Sequence, residues 1–174
     1  MNGNISVESE IDKGSTFTFT VKAGIPKPAI KTVESQADSV PESAVDDYSG
    51  KQVLLAEDVE LNREIVIAIM EAFNVDITEA ENGQQAVDIF SANPEKFDLI
   101  FMDIHMPEVN GYQAATLIRA LDHPRAKTIP IIALTANVFK EDIERCLAAG
   151  MNDHIGKPLN FEEVVSVFKK YLDR

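Results

Sequence analysis

The feature that most constrains the fold is a regular alternation, over residues 50 to 174, of short apolar runs with longer stretches of helical period. The apolar runs predict five strands: "KQVLLA", "VDITEA", "DLIFMD", "IPIIALT" and "DHIGK". Helices are predicted near residues 60 to 73, 83 to 92, 111 to 121, 138 to 149 and 160 to 172. Because runs such as "VLLA" and "LIFM" are apolar on both faces, helices should cover both faces of the sheet. The pattern therefore predicts an α/β fold with a five-stranded, doubly wound parallel sheet.

The first 49 residues have a different pattern and predict two further zones. In residues 1 to 24, "NISVESE" and "TFTFTVKAG" alternate polar and apolar residues on either side of a turn at "DKGS", which predicts a β-hairpin. Residues 25 to 49 are rich in Pro, Ser and acidic residues, which is typical of a flexible linker. We thus predict a hairpin over 1–24, a linker over 25–49 and the α/β domain over 50–174. A lone hairpin is marginally stable in water, so it should belong to a larger unit.

Composition excludes several classes of function. A net charge of −13 and a pI near 4.6 argue against a nucleic-acid-binding surface, which needs a basic face. The single cysteine, Cys146, cannot form an internal disulfide and fits a reducing compartment. No apolar run approaches the roughly 20 residues of a membrane span. We expect a cytoplasmic chain that does not contact the membrane, although its parent protein could be anchored there.

Polar residues follow the predicted strands at the points where the strands end. Glu57 and Asp58 follow the first strand, Asp103 ends the third, Thr135 ends the fourth and Lys157 follows the fifth. In a doubly wound sheet these carboxyl ends meet at one edge, where ligands bind. Three carboxylates together are unfavourable unless a cation compensates their charge. A set of oxygen ligands without a spare Cys or His favours Mg2+.

Each of these residues also has an ordinary structural interpretation. A strand-end aspartate often caps the next helix, a threonine is a common turn residue and a lysine can be a solvated loop cation. Taken singly, these interpretations are preferable. Five such groups at one sheet edge favour a functional site.

The motifs then identify a family. "LLAEDVELNREIV", "LIFMDIHMPEVNGYQAATLIR", "PIIALTAN" and "GMNDHIGKPL" resemble the receiver domain of two-component signalling, over residues 51 to 173. The resemblance rests on the acidic pair, the aspartate before His-Met-Pro, the strand-ending threonine and the Lys-Pro, all in order. It implies a flavodoxin-like fold with strand order 2-1-3-4-5.

The resemblance also implies a role for each site residue. Asp103 would be the phosphoacceptor, taking a phosphoryl group from a phosphohistidine to form an acyl phosphate. Glu57, Asp58 and Asp103 would hold Mg2+, together with the backbone carbonyl of His105. Lys157 would pair with the phosphoryl oxygens.

Three further expectations concern the switch that follows phosphorylation and the backbone around the site. Thr135 would move to hydrogen-bond the phosphoryl group and so change the surface of the domain. The peptide bond between Lys157 and Pro158 is expected to be cis. Gly111 should relieve the backbone where the loop enters the third helix.

Two residues depart from the family pattern. His154 occupies the position, three residues before the lysine, where receivers usually have an aromatic switch residue. His105, two residues after Asp103, lies where receivers tune the lifetime of the acyl phosphate. We interpret His105 as an exposed, rate-modulating side chain rather than a catalytic base or a metal ligand through its imidazole.

The first 24 residues resemble the closing strands of the ATP-binding domain of histidine kinases. With the linker and receiver, this order predicts the C-terminal part of a hybrid sensor histidine kinase. Its partners would be a histidine kinase core, its own or another, and a histidine phosphotransfer protein. The chain carries none of the kinase's catalytic parts, so it would act as a phosphoacceptor with slow self-dephosphorylation.

Three rival hypotheses remain open. The chain could be a receiver-like binding module without phosphorylation, or a stand-alone response regulator with an unrelated N-terminal extension. In the second case Phe17 and Phe19 would pack on the receiver or support a weak self-association. The third rival, a Mg2+-dependent phosphatase, would need an aspartate where His105 stands.

Overall fold

A computed structural model describes residues 4–10, 14–20, 47–136 and 139–173. The chain divides into two compact units, one containing the hairpin and one containing the sheet. Most of the predicted linker, residues 25–46, lies outside the described residues, as do Asp12 and Lys13 of the predicted turn and Val138 of the predicted fourth helix.

The N-terminal unit contains the predicted hairpin. Strands β1 (Asn4–Glu10) and β2 (Gly14–Thr20) pair antiparallel, with Val7 opposite Phe17. These two side chains are 57% and 69% exposed, so the hairpin presents apolar surface. The predicted hairpin is confirmed, and its alternation produces this apolar pair because residues two apart share a face.

The second unit contains a five-stranded parallel sheet. Its strands are β3 (Gln52–Ala56), β4 (Asp76–Ala80), β5 (Leu99–Asp103), β6 (Ile131–Thr135) and β7 (Asp153–Gly156). Their order is β4-β3-β5-β6-β7, which is 2-1-3-4-5 when the sheet is numbered by itself. The predicted fold class and strand order are confirmed. All residues of β5 and β6 are buried, as expected for central strands covered on both faces.

Helices follow the strands in turn. They are α1 (Glu60–Glu71), α2 (Gly83–Ala92), α3 (Gly111–Ala120), α4 (Pro124–Thr128), α5 (Lys140–Ala148) and α6 (Phe161–Tyr171). A 3-10 turn spans Pro94–Lys96. Neither α4 nor the 3-10 turn is predicted from the sequence, because both begin at a proline and are too short to show a helical period.

Successive strand residues supply two separate cores. Leu54 and Ile100 point to the side of the sheet that α2 and α3 cover, whereas Leu55 and Phe101 point to the side that α1 and α6 cover. Tyr48, which the sequence analysis assigned to the linker, is buried in the second core, and its ring packs against Phe168. The packed body therefore extends at least to Tyr48.

Arginine side chains tie together the loops at the amino ends of the strands. Arg119 of α3 donates hydrogen bonds to the backbone carbonyls of Gly150, Ala126 and Ile129 at 2.7 to 2.8 Å, and to Asn152 Oδ1 at 2.8 Å. Burial lowers the pKa of this guanidinium from its ordinary value.

Among the described residues, no helix is both long and apolar enough to cross a membrane.

Candidate functional site

The carboxyl edge of the sheet brings together the polar residues that were singled out from the sequence. Asp103 is the last residue of β5 and Thr135 the last of β6, while Glu57 and Lys157 directly follow β3 and β7. Glu57, Asp103 and Thr135 are buried, with at most 4% of their surface exposed. This burial sets them apart from ordinary strand-end polar residues, which face water.

Three carboxylates lie close enough to share a cation. One carboxylate oxygen from each of Glu57, Asp58 and Asp103 lies within 4.8 Å of the others. The oxygen ligands of an octahedral Mg2+ are about 3 to 4 Å apart, so small side-chain rotations would bring these atoms into range. The residues present therefore fit a hard divalent cation.

Lys157 connects two of the carboxylates. Its Nζ lies 2.5 Å from Glu57 Oε2 and 3.0 Å from Asp103 Oδ2. Burial raises the pKa of the Asp103 carboxyl above its ordinary value, and the charge of Glu57 adds to the rise although Lys157 opposes it. The single positive charge of Lys157 therefore does not fully balance the two buried carboxylates of Glu57 and Asp103. The peptide bond after Lys157 is cis, as predicted.

Two residues in the first turn of α1, neither of them among the predicted site residues, hold the acidic pair Glu57 and Asp58. Asn62 Nδ2 donates to Glu57 Oε1 at 2.8 Å. Arg63 Nη1 donates to the backbone carbonyls of Glu57 and Asp58 at 2.9 and 3.2 Å. No local sequence signal distinguishes these two from solvated polar residues of an amphipathic helix.

The loop after Asp103 is closely packed against the strand end. A Cβ on Gly111 would lie 2.2 Å from the Asp103 carbonyl oxygen, so only glycine permits this approach. The amide of Gly111 donates to the Ile104 carbonyl at 3.0 Å. The expectation that Gly111 relieves the backbone here is confirmed by this contact.

The start of α2 supports the same loop. Gly83 donates its amide to the Val109 carbonyl at 3.1 Å, and a Cβ on Gly83 would lie 2.1 Å from that oxygen. Glu108, between these contacts, has a positive φ of 62°, an uncommon conformation for a residue with a side chain. The loop after Asp103 is therefore fixed at both ends.

Comparison with known proteins identifies the family. The sequence model of the response regulator receiver domain matches residues 53–169. The chain belongs to this family. The aerobic respiration control sensor protein ArcB of Escherichia coli K12 is 35% identical over 176 residues, which cover 99% of this chain and 21% of ArcB. The chain thus spans about a fifth of the length of that relative.

Two solved receiver domains have the same architecture. The receiver domain of the sensor histidine kinase PA1611 from Pseudomonas aeruginosa, solved with a magnesium ion in its active site cleft, is 36% identical. The match covers 72% of this chain and 100% of that one, with a TM-score of 0.64. The receiver domain of Saccharomyces cerevisiae Ssk1, solved with the histidine phosphotransfer protein Ypd1, is 28% identical, with a TM-score of 0.63 and coverage of 71% and 89%.

The two histidines that depart from the receiver pattern occupy different environments. His105 is exposed, and its backbone amide lies 3.4 Å from Asp103 Oδ1. His154 lies in β7 with 28% of its side chain exposed, and its Nδ1 is 3.8 Å from Asp153 Oδ1. The exposed side chain predicted for His105 is confirmed, whereas its effect on phosphate lifetime stays a prediction.

Proposed function

We propose that this receiver domain accepts a phosphoryl group from a phosphohistidine onto Asp103, with Mg2+ bound at the adjacent carboxylates. The observation that carries the proposal is the buried convergence of Glu57, Asp103 and Lys157 beside a third carboxylate, Asp58. Such a grouping costs folding free energy, because desolvated like charges repel. A binding module without phosphorylation would have no use for it.

The metal would be held by Glu57, Asp58 and Asp103, with the backbone carbonyl of His105 as a further ligand. When bound, Mg2+ supplies positive charge that stabilises the phosphoryl oxygens during in-line transfer. Its presence in the PA1611 receiver domain supports the same assignment here. The raised pKa of Asp103 supports it too, because a bound cation would offset both the burial of this carboxylate, which is the main cause of the rise, and its repulsion by Glu57.

The chain's own residues account for the transfer step. A carboxylate oxygen of Asp103 attacks the phosphorus, a P–O bond forms, and the P–N bond breaks with its electron pair returning to the partner's imidazole. Lys157, 3.0 Å from Asp103 Oδ2, would neutralise charge on the transferred group. Thr135, buried at the end of the neighbouring strand, would hydrogen-bond the phosphoryl group and transmit its presence to the surface.

The surface of α1 beside the site fits a partner protein. Val59, just before α1, is 47% exposed, and Leu61 and Ile65 in the first turns of α1 are 63% and 47% exposed. A groove next to Ile65 is lined by the apolar residues Ile65, Val66, Pro158 and Leu159 and by the polar residues Asn62 and Lys157. Large exposed apolar side chains grouped around a reactive site favour a docking surface. We assign it to the partner that carries the phosphohistidine, either a histidine kinase core or a histidine phosphotransfer protein like the one bound to Ssk1.

The function can be tested by phosphorylating the chain. Incubation with Mg2+ and a small phosphodonor should add the mass of one phosphoryl group, and beryllium fluoride should shift the amide resonances around Asp103 and Thr135. The Asp103→Asn variant should show neither change. A wild-type chain that stays unmodified, or a variant that is still labelled, would contradict the proposal.

We further propose that the chain is the C-terminal part of a hybrid sensor histidine kinase. Residues 1–24 would be the last strands of its ATP-binding domain, residues 25–49 the linker and residues 50–174 the receiver. The match to ArcB over 99% of the chain supports this arrangement. The exposed Val7 and Phe17 support it too, because they would pack against the rest of the ATP-binding domain. The coding sequence upstream of Met1 tests the proposal, since an unrelated domain there would contradict it.

A further inference from the structure

Arg63 lies directly behind the proposed metal site. It projects from the first turn of α1 and is buried, with 9% of its surface exposed. One nitrogen, Nη1, donates to the backbone carbonyls of both Glu57 and Asp58, at 2.9 and 3.2 Å. These two residues supply two of the three carboxylates of the cluster. Arg63 therefore fixes the backbone from which both side chains project.

The rest of the guanidinium faces two acidic residues at the end of β4. Arg63 Nε lies 3.3 Å from Glu79 Oε2, and Nη2 lies 3.9 Å from Glu81 Oε1. A guanidinium offers five donors in a rigid fork, so one side chain can bind two carbonyls and two carboxylates in different directions. An ammonium group on a flexible stem cannot reproduce this arrangement.

The charge of Arg63 by itself should oppose the binding of a cation. A positive group behind a metal site repels the metal, and the repulsion is greater where water is scarce. Glu79 and Glu81, which pair with the guanidinium, offset part of this charge. The arrangement retains the geometric effect of the guanidinium and reduces its electrostatic cost.

We propose that Arg63 is a positioning residue of the Mg2+ site, orienting Glu57 and Asp58 through their backbone carbonyls. The inference rests on the proposed function, because it assumes that the carboxylate cluster binds Mg2+. It deepens that proposal by adding a residue that would never touch the metal. Groups that orient metal ligands from behind commonly change metal affinity by about 10- to 100-fold when they are removed.

The direction of the change in Mg2+ affinity distinguishes a positioning role from an effect of charge. Arg63→Met removes both the positive charge and the hydrogen bonds, whereas Arg63→Lys keeps the charge and loses the branched set of hydrogen-bond donors. If Arg63 acted only through its charge, Arg63→Met would bind Mg2+ more tightly than the wild type. Positioning predicts that both variants bind it more weakly, by about tenfold or more.

Arg119 provides a matched control. It also donates hydrogen bonds to backbone carbonyls, but they lie at the amino edge of the sheet, away from the carboxylates. Arg119→Lys should lower the stability of the fold and leave the Mg2+ dissociation constant unchanged within about twofold, since no metal ligand is involved. This control separates a general loss of stability from a specific loss of metal affinity.

The experiment is a Mg2+ titration of the full chain, followed by amide resonances, for the wild type, Arg63→Lys, Arg63→Met and Arg119→Lys. Urea unfolding in EDTA, run in parallel, measures the stability of each apoprotein. Weaker Mg2+ binding in both Arg63 variants, beyond that of the control, supports the inference. Wild-type affinity in Arg63→Lys, or tighter binding in Arg63→Met, overturns it. If Arg63→Met does not fold, Arg63→Lys alone decides.

Failure of the proposed function would look different. In that case the wild-type chain itself would neither bind Mg2+ nor respond to beryllium fluoride. If the wild type does both and the Arg63 variants match its Mg2+ affinity, only the positioning inference fails.

Discussion

The two edges of the sheet use polar residues in opposite ways. At the amino edge, Arg119 and Arg125 donate to neutral backbone carbonyls and join neighbouring loops. At the carboxyl edge, Arg63 does the same behind the site, but in front of it two buried carboxylates share one lysine. Hydrogen-bonded neutral groups stabilise a fold, whereas crowded buried charges destabilise it. Polar groups at the amino edge therefore stabilise the fold, whereas those at the carboxyl edge are the charges that the proposed phosphoryl transfer would use.

The largest loss of stability is expected from a substitution at the amino edge. Arg119→Met would remove four hydrogen bonds and leave three backbone carbonyls without their donor. We expect the free energy of unfolding to fall by about 3 to 4 kcal/mol, measured by urea titration. The fraction that remains folded should still be phosphorylated at the wild-type rate. A lower rate in that fraction would show that the two edges are coupled.

Two glycines, one at each edge, differ in what an added Cβ would meet. A Cβ on Gly111 would lie 2.2 Å from the Asp103 carbonyl oxygen, whereas one on Gly150 would lie 2.9 Å from Cγ of the Arg119 side chain. Gly111→Ala should cost about 2 to 3 kcal/mol, because a backbone atom must move. It should also slow phosphorylation, since Asp103 itself is displaced.

Gly150→Ala should cost less. Its positive φ of 90° disfavours alanine, so a loss of about 1 kcal/mol is expected, with phosphorylation unchanged. Thermal unfolding and phosphodonor labelling of both variants measure the two effects. Equal costs would contradict the view that the carboxyl edge is the more tightly constrained.

Two aspartates, Asp103 and Asp153, should contribute to folding stability with opposite dependence on pH. Burial raises the pKa of Asp103 above 3.8, so in the apoprotein its ionisation at higher pH costs folding free energy. Burial also acts to raise the pKa of Asp153, but hydrogen bonds from Lys170 and from the His154 amide outweigh it and lower the pKa below 3.8. The stabilisation from Asp153 is therefore present above pH 3.8 and is lost as pH falls through the lowered pKa.

Urea unfolding in EDTA over a pH series measures both. At neutral pH, Asp103→Asn should stabilise the apoprotein, and Asp153→Asn should destabilise it by at most about 1 kcal/mol, because its partner Lys170 is mostly exposed. Both differences should shrink in acid. Changes of the same sign in the two variants would remove the distinction between the edges.

The smallest effect concerns backbone strain in the loop after Asp103. Glu108 has a φ of 62°, so Glu108→Gly should stabilise the fold by about 0.5 kcal/mol. Asn74, with a φ of 56°, offers a matched comparison near the amino edge. Asn74→Gly should give no gain, because asparagine tolerates this conformation and its side chain bonds Asp47. Thermal unfolding of both variants provides the measurement.

Much of the sheet was predictable because each strand is marked by a short apolar run in the sequence. Each strand begins within two residues of its predicted start, and β3, β4, β5 and β6 end at the predicted residue. The meeting of Glu57, Asp103 and Lys157 followed from topology, since parallel strands place their carboxyl ends at one edge. The chemical roles given to Asp103, Thr135, Lys157 and the metal ligands stay predictions.

Other features depend on tertiary packing and left no sequence signal. Arg63 and Arg119 both occur in amphipathic helices, where an arginine is ordinarily solvated, and their inward direction depends on how each helix is rotated. Tyr48 lies in a polar stretch that matched a linker, although its ring completes a core. Residues of this kind are recognised only when their neighbours in space are known.

Helix capping around the site has a consequence for local opening. Asparagines at positions 82, 110 and 160 cap α2, α3 and α6 through their side chains. The residues that precede α1 and α5 are Val59 and Phe139, which have no side-chain acceptor. The first turns of α1 and α5, next to the acidic pair and to Thr135, should therefore exchange amide hydrogens faster than the capped helices. Local fraying would then be greatest at the part of the surface that we assign to the partner protein.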